Sequence, residues 1–94
     1  IEGGLIFGTA MATGTAAHYR EQLATVRMYG DVGLPILADA PEVTVELIAG
    51  PNATAADPGG VSDLGVPAVA PAIANALRAA TGVRRRTLPL RSDA

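Results

Sequence analysis

Residues 3–18, GGLIFGTAMATGTAAH, carry apolar or small side chains on every side of a helical wheel, with no charge among them. That pattern predicts a helix from about Leu5 to Gln22, charged only at its end by Arg20 and Glu21. A helix apolar all round needs cover on all sides. Gly8 and Gly14 within it each cost about 1 kcal/mol unless another backbone comes close. Residues 24–29 (ATVRMY) alternate weakly and predict a short strand. Gly, Pro and Asp punctuate 30–42, so this stretch is expected to be a loop or a short edge strand. The segment 43-VTVELIA-49 is β-branched and alternating, with Val43, Val45 and Leu47 on one face, and is the strongest strand signal in the chain.

A turn-rich stretch, 50–60, carries no periodicity and predicts a long loop; its Asn52-Ala53-Thr54 triplet is read as a chance acceptor motif. After it, Val69, Ile73, Ala76, Leu77 and Ala80 fall at helical spacing and predict a second helix over 67–82. Pro71 suits a first turn, where its missing N–H is not needed. Gly82 suits the position just past the last turn, and Arg78 and Arg84 oppose the negative end of the helix dipole. Asn75, on a surface of small residues, is placed for a polar contact with a neighbouring segment. The tail 87–94 reads as short and extended. The order helix, strand, strand, helix gives an α+β class, two helices packed with a small sheet, in one unit over 1–94.

Composition sharpens this picture. The chain has 94 residues, 49% of them hydrophobic but only 3% aromatic, so Ala, Val, Leu and Ile must build the core. Small side chains each bury little area, and a chain of this size hides only about 60–65% of its surface on folding. A larger neighbour would add much. Net charge is −2, with seven basic residues, all Arg, against nine acids. That balance excludes a basic field for nucleic acid, and 84-RRR-86 reads as a solvated or ion-pairing end. With no Cys there is no disulfide or thiolate chemistry, and a single His cannot build a histidine metal cluster. No apolar run reaches the roughly 18 residues of a membrane span. The opening Ile-Glu-Gly-Gly lacks Met and a basic leader, which predicts a start inside a longer reading frame or after processing.

Two places invite chemistry. In 59-GGVSDLGVP-67, Asp63 sits between Gly60 and Gly65 ahead of the second helix, where glycines admit a ligand and helix N–H groups favour an anion. The plain alternative is a helix-leading turn in which Asp63 or Ser62 satisfies backbone donors. His18, with Tyr19 and Arg20, is the other place; its simpler account is a histidine stabilised by the dipole at a helix C-terminus. No phosphate-loop or dinucleotide pattern is present.

The order of segments carries a resemblance. IEGGLIFGTAMA, then ILADAPEVTVELI, then DPGGVSDLGVPAVAPAIANALRAATGVRRRTLPL resembles the C-terminal end of the molybdenum-binding large subunit of the xanthine oxidase/aldehyde oxidase family. Its bacterial isoquinoline 1-oxidoreductase beta subunits and aldehyde dehydrogenases are the nearest branch. The resemblance runs over almost the whole chain, most specifically in 58–90. It implies the C-terminal part of a molybdopterin-binding domain and oxidative hydroxylation of an aldehyde or N-heteroaromatic carbon. It also implies a molybdenum–pterin cofactor held mostly by the rest of the subunit, and an iron–sulfur partner subunit. The family's base glutamate stands in a Gly-Val-Gly-Glu-Pro loop; Gly60-Val61-Ser62-Asp63-Leu64 matches that loop, giving Asp63 the place of the base. Gly60, Val61 and Ser62 would then face the cofactor, with Val61 lining the pocket. Asp is one methylene shorter than Glu, Ser62 replaces a glycine and Leu64 a proline. A non-catalytic structural or assembly module derived from such a subunit is the alternative.

Overall fold

The structure, a computed structural model, describes residues 1–48, 50–52, 54 and 59–90. It is α+β: helix α1 (Glu2–Thr13), a two-stranded antiparallel sheet of β1 (Tyr19–Arg20) and β2 (Leu23–Ala24), and helix α2 (Val66–Thr81). Single 3₁₀ turns at Tyr29–Asp31 and Leu37–Asp39 punctuate the loop between β2 and α2.

Helix α1 packs on α2 through residues that lack side chains. A Cβ built on Gly8 would stand 2.8 Å from Val69 Cγ2 and 2.9 Å from the Val66 carbonyl oxygen. One on Gly4 would stand 3.0 Å from the Ser62 carbonyl oxygen, and one on Gly65 would meet Leu5 Cδ2 at 2.7 Å. Gly4, Gly8 and Ala12 recur at intervals of four, which lines them on one helical stripe. Gly8, Ala10 and Ala12 are buried in α1, and Leu90 joins them. The Leu90 N–H donates to the Ala12 carbonyl at 2.6 Å, which ties the tail to the end of α1 and satisfies one of its orphan acceptors.

Helix α1 is shorter than the pattern predicts, ending at Thr13 and not near Gln22. The Thr9 and Thr13 hydroxyls donate to the carbonyls of Leu5 and Thr9, at 2.8 and 2.7 Å. Past Gly14 the chain is claimed by a distant segment. The Ala16 N–H donates to the Val32 carbonyl at 3.1 Å and the Thr15 hydroxyl to the Gly33 carbonyl at 2.8 Å. Gly33 holds φ +78°, and a Cβ there would sit 3.2 Å from the Gly14 carbonyl oxygen, so this crossing takes a glycine.

The predicted strand at 24–29 contracts to Leu23–Ala24, paired with Tyr19–Arg20. Glu21 and Gln22 form the two-residue turn with φ +52° and +69°, both left-handed, as a type I′ hairpin turn demands. The 30–42 stretch is a loop with no edge strand. The Asp31 and Asp39 carboxylates accept from the N–H groups of Arg27 and Ile36, both at 3.1 Å, and close the two 3₁₀ turns.

Over its described residues, the strongest strand signal is not paired. Residues 43–48 belong to no sheet, although Val43 and Val45 are half-buried as alternation requires. Ala49 lies outside the described residues, as do Ala53 of the acceptor triplet, residues 55–58 of the loop and 91–94 of the tail.

Helix α2 matches its prediction, shifted by one residue. Gly82 adopts φ +77° and its N–H closes on the Arg78 carbonyl at 2.7 Å, the left-handed stop expected of a glycine there. Pro67, not Pro71, occupies the first turn; Pro71 lies inside the helix. Having no N–H, Pro71 leaves the Pro67 carbonyl without its intrahelical donor. Asn75 makes a polar contact, accepting at Oδ1 from Arg84 Nη1 at 2.7 Å.

The close approach predicts opposite outcomes for two alanine substitutions in one helix. Gly8→Ala should destabilise the chain by about 1–3 kcal/mol through overpacking against Val69 and the Val66 carbonyl, despite the better helix propensity of Ala. Gly3→Ala, which meets nothing within 4 Å, should stabilise by up to about 1 kcal/mol. Urea unfolding followed by far-ultraviolet circular dichroism reads both.

Candidate functional site

The loop 59–65 bears the acid singled out from the sequence. Gly59 turns the chain with φ +80°, a conformation that glycine adopts without strain. The Leu64 N–H then donates to the Val61 carbonyl and the Val66 N–H to the Asp63 carbonyl, each at 3.3 Å, so two overlapping turns lead into α2. Below them, the Ser62 carbonyl rests against Gly4 and the backbone of Gly65 against Leu5. The loop is thus seated on α1 by main-chain contacts.

Its side chains point elsewhere. Asp63 and Ser62 are exposed, Val61 is 44% and Leu64 66% exposed. The residue that caps α2 is Gly65, and no side chain caps the helix. Neither Asp63 nor Ser62 therefore performs the backbone-satisfying duty that a helix-leading turn would give it. The Asp63 carboxylate accepts no hydrogen bond from any other described residue; its main-chain carbonyl does the local work. A carboxylate with no structural partner, carried on a loop pinned from beneath, can accept a proton from a group brought to it.

The anion-binding alternative fares less well at this helix end. Of the first-turn donors, the Val66 N–H already serves the Asp63 carbonyl, and Pro67 has none. Two of the groups an anion would use are gone.

The molybdenum–pterin group asks for a cradle of polar partners. A Cβ at Gly60 would meet nothing within 4 Å, so this glycine opens onto no wall formed by the chain itself. Val61 and Ser62 likewise face outward, and among the described residues no three His, Cys, Asp or Glu side chains converge as a metal site. The residues present do not by themselves fit that cofactor.

His18 is not at a helix end. It lies between α1 and β1, exposed, with its carbonyl accepting from the Thr25 N–H at 2.8 Å and the Thr25 hydroxyl at 3.0 Å. The dipole account of this histidine falls with the shortened helix. Gly4 escaped the sequence reading, and Gly65, read there as admitting a ligand, instead packs against Leu5; the spacing of Gly4, Gly8 and Ala12 was the available signal.

Among the described residues, no helix is long and apolar enough to cross a membrane. No protein-family model, curated protein or solved structure matches the chain.

With no local role for the carboxylate, Asp63→Asn should leave stability within about 0.5 kcal/mol of the parent. Loss of a genuine cap would cost about 1 kcal/mol. Paired urea titrations of the two proteins distinguish these outcomes.

Proposed function

We propose that the chain is one part of a molybdenum hydroxylase of the xanthine oxidase/aldehyde oxidase type. It supplies the loop that carries the base, while other polypeptide holds the cofactor. The observation that carries this reading is the Asp63 carboxylate, exposed and free of hydrogen bonds to the other described residues, on a loop seated against Gly4 and Leu5. The resemblance of segments 1–12, 36–48 and 57–90 to the end of such a subunit adds the chemistry. In that family the molybdenum centre supplies the oxygen that is transferred to carbon.

What this chain's own residues contribute is narrower. Asp63 accepts a proton; Gly60 lets backbone approach closely; Val61 offers an apolar surface beside the acid. The substrates implied are small aldehydes or N-heteroaromatic compounds, and the implied partners are the remaining molybdenum-binding polypeptide and an iron–sulfur subunit.

A second reading, a non-catalytic assembly module, is favoured by one feature, an aspartate in the place of a glutamate. The shorter side chain withdraws the carboxylate by ~1.5 Å on the scale of a C–C bond. A displacement near 1 Å can cost on the order of 10²-fold in rate.

Protein purified from its source separates the two. Molybdenum should be retained together with a larger partner chain, and Asp63→Asn should lower turnover by about 10²–10⁴-fold with metal content unchanged. Asp63→Glu should raise it by restoring reach. An assembly in which Asp63→Asn turns over as fast as the parent makes the chain a structural module.

A further inference from the structure

Helix α1 ends where two distant segments hold the two halves of a bond the helix would make. Continued, α1 would join the Ala16 N–H to the Ala12 carbonyl. Instead the Ala12 carbonyl accepts from the Leu90 N–H at 2.6 Å, and the Ala16 N–H donates to the Val32 carbonyl at 3.1 Å. The Leu90 side chain, 7% exposed, anchors the tail in that place.

The segment beyond this break is better made for a helix than for the hairpin it forms. In 16-AAHYREQLA-24, seven of the nine residues are strong helix formers. The hairpin turn holds Glu21 at φ +52° and Gln22 at φ +69°, where Asn-Gly is the fitting pair. Its paired residues, Tyr19 with Ala24 and Arg20 with Leu23, are all exposed. An uncovered two-stranded hairpin is at best marginally stable in water.

We infer that the tail is the latch of a conformational switch at the end of α1. With Leu90 docked, α1 stops at Thr13 and 19–24 is a hairpin; with Leu90 released, α1 runs on through about Gln22. Each left-handed non-glycine residue disfavours the hairpin by about 5–30-fold. Extension gives up three tertiary bonds: Leu90 to Ala12, Ala16 to Val32, and the Thr15 hydroxyl to Gly33. Each of these favours the hairpin by about 2–13-fold, so two of the first kind and three of the second nearly cancel. The bonds from Thr25 to the His18 carbonyl are exchanged for intrahelical ones. Burial of the Leu90 side chain, worth about 10–150-fold, then decides for the hairpin. Engaging Leu90 elsewhere therefore lengthens α1. His18 and Gln22 then fall in line with the exposed Phe7 and Met11 on the helical wheel. Gly4 and Gly8 keep their contacts with Ser62, Val66 and Val69, so the Asp63 loop keeps its seat.

Nuclear magnetic resonance on the full chain reads the switch through the Cα chemical shifts of 14–22. Leu90→Ala keeps the N–H but loses the buried side chain, and should raise the helix-to-hairpin ratio by about tenfold or more. Gly14→Ala, whose Cβ meets nothing within 4 Å, should raise it by about fivefold through helix propensity, leaving the tail untouched. Glu21→Asn with Gln22→Gly relieves the turn and should cancel the rise caused by Leu90→Ala. The helices hold 12 and 16 residues, so full extension should add about a third to the ellipticity at 222 nm. A Leu90→Ala chain that keeps the shifts of the hairpin, or that loses helix instead of gaining it, makes the tail a plain anchor and overturns the inference. So does a Gly14→Ala chain whose shifts over 15–22 match those of the parent. A helical gain that survives Glu21→Asn with Gln22→Gly overturns it as well.

Discussion

The contact on which the rest of the structure depends is the near-touching of two helix backbones at Gly8. There the Val66 carbonyl and the Val69 side chain occupy the space that a Cβ would fill. Gly4 and Gly65 extend the same contact toward the start of α2. This closeness sets how the loop before α2 lies on α1, and therefore where Asp63 is held. It replaces the large interdigitated side chains of an ordinary core, which this composition does not supply. Dispersion between closely approaching main chains is small per atom pair and adds up only while the surfaces stay in register.

The consequence is a chain with a thin interior. Among the described residues, Ala10, Ala12 and Leu90 are the buried hydrophobic ones, while Phe7, Met11, Tyr29, Leu37 and Ile48 stand exposed. The apolar helix and the alternating segment thus keep much of their apolar surface in contact with solvent. The acid likewise stands on a seated loop with no second titratable group converging on it among the described residues.

Asp63 shows how far local pattern can reach. A glycine-rich loop with one acid before a helix was legible at once, and so were two competing roles for the acid. Whether the side chain serves the turn depends on whether the carboxylate or the main-chain carbonyl meets the Val66 N–H, and the carbonyl does so. Helix α2 was legible almost to the residue, because its periodicity, its basic last turn and Gly82 all lie within a short window. Helix α1 was legible in kind but not in length. The Thr15 and Ala16 bonds to Gly33 and Val32 that draw the chain away join segments far apart in sequence, and no window across 5–22 contains both partners.

By itself, then, the sequence determined the α+β class, the second helix with its glycine stop, and a core built from small side chains. Each follows from local spacing or from composition. Tertiary structure decided where α1 ends, that Pro71 lies inside a helix, that the hairpin turns at Glu21 and Gln22, and that the Asp63 carboxylate is free of local duties. It also decided that 43–48, strand-like in every local respect, goes unpaired. A strand needs a neighbour, and alternation specifies only the side that such a neighbour's core would cover.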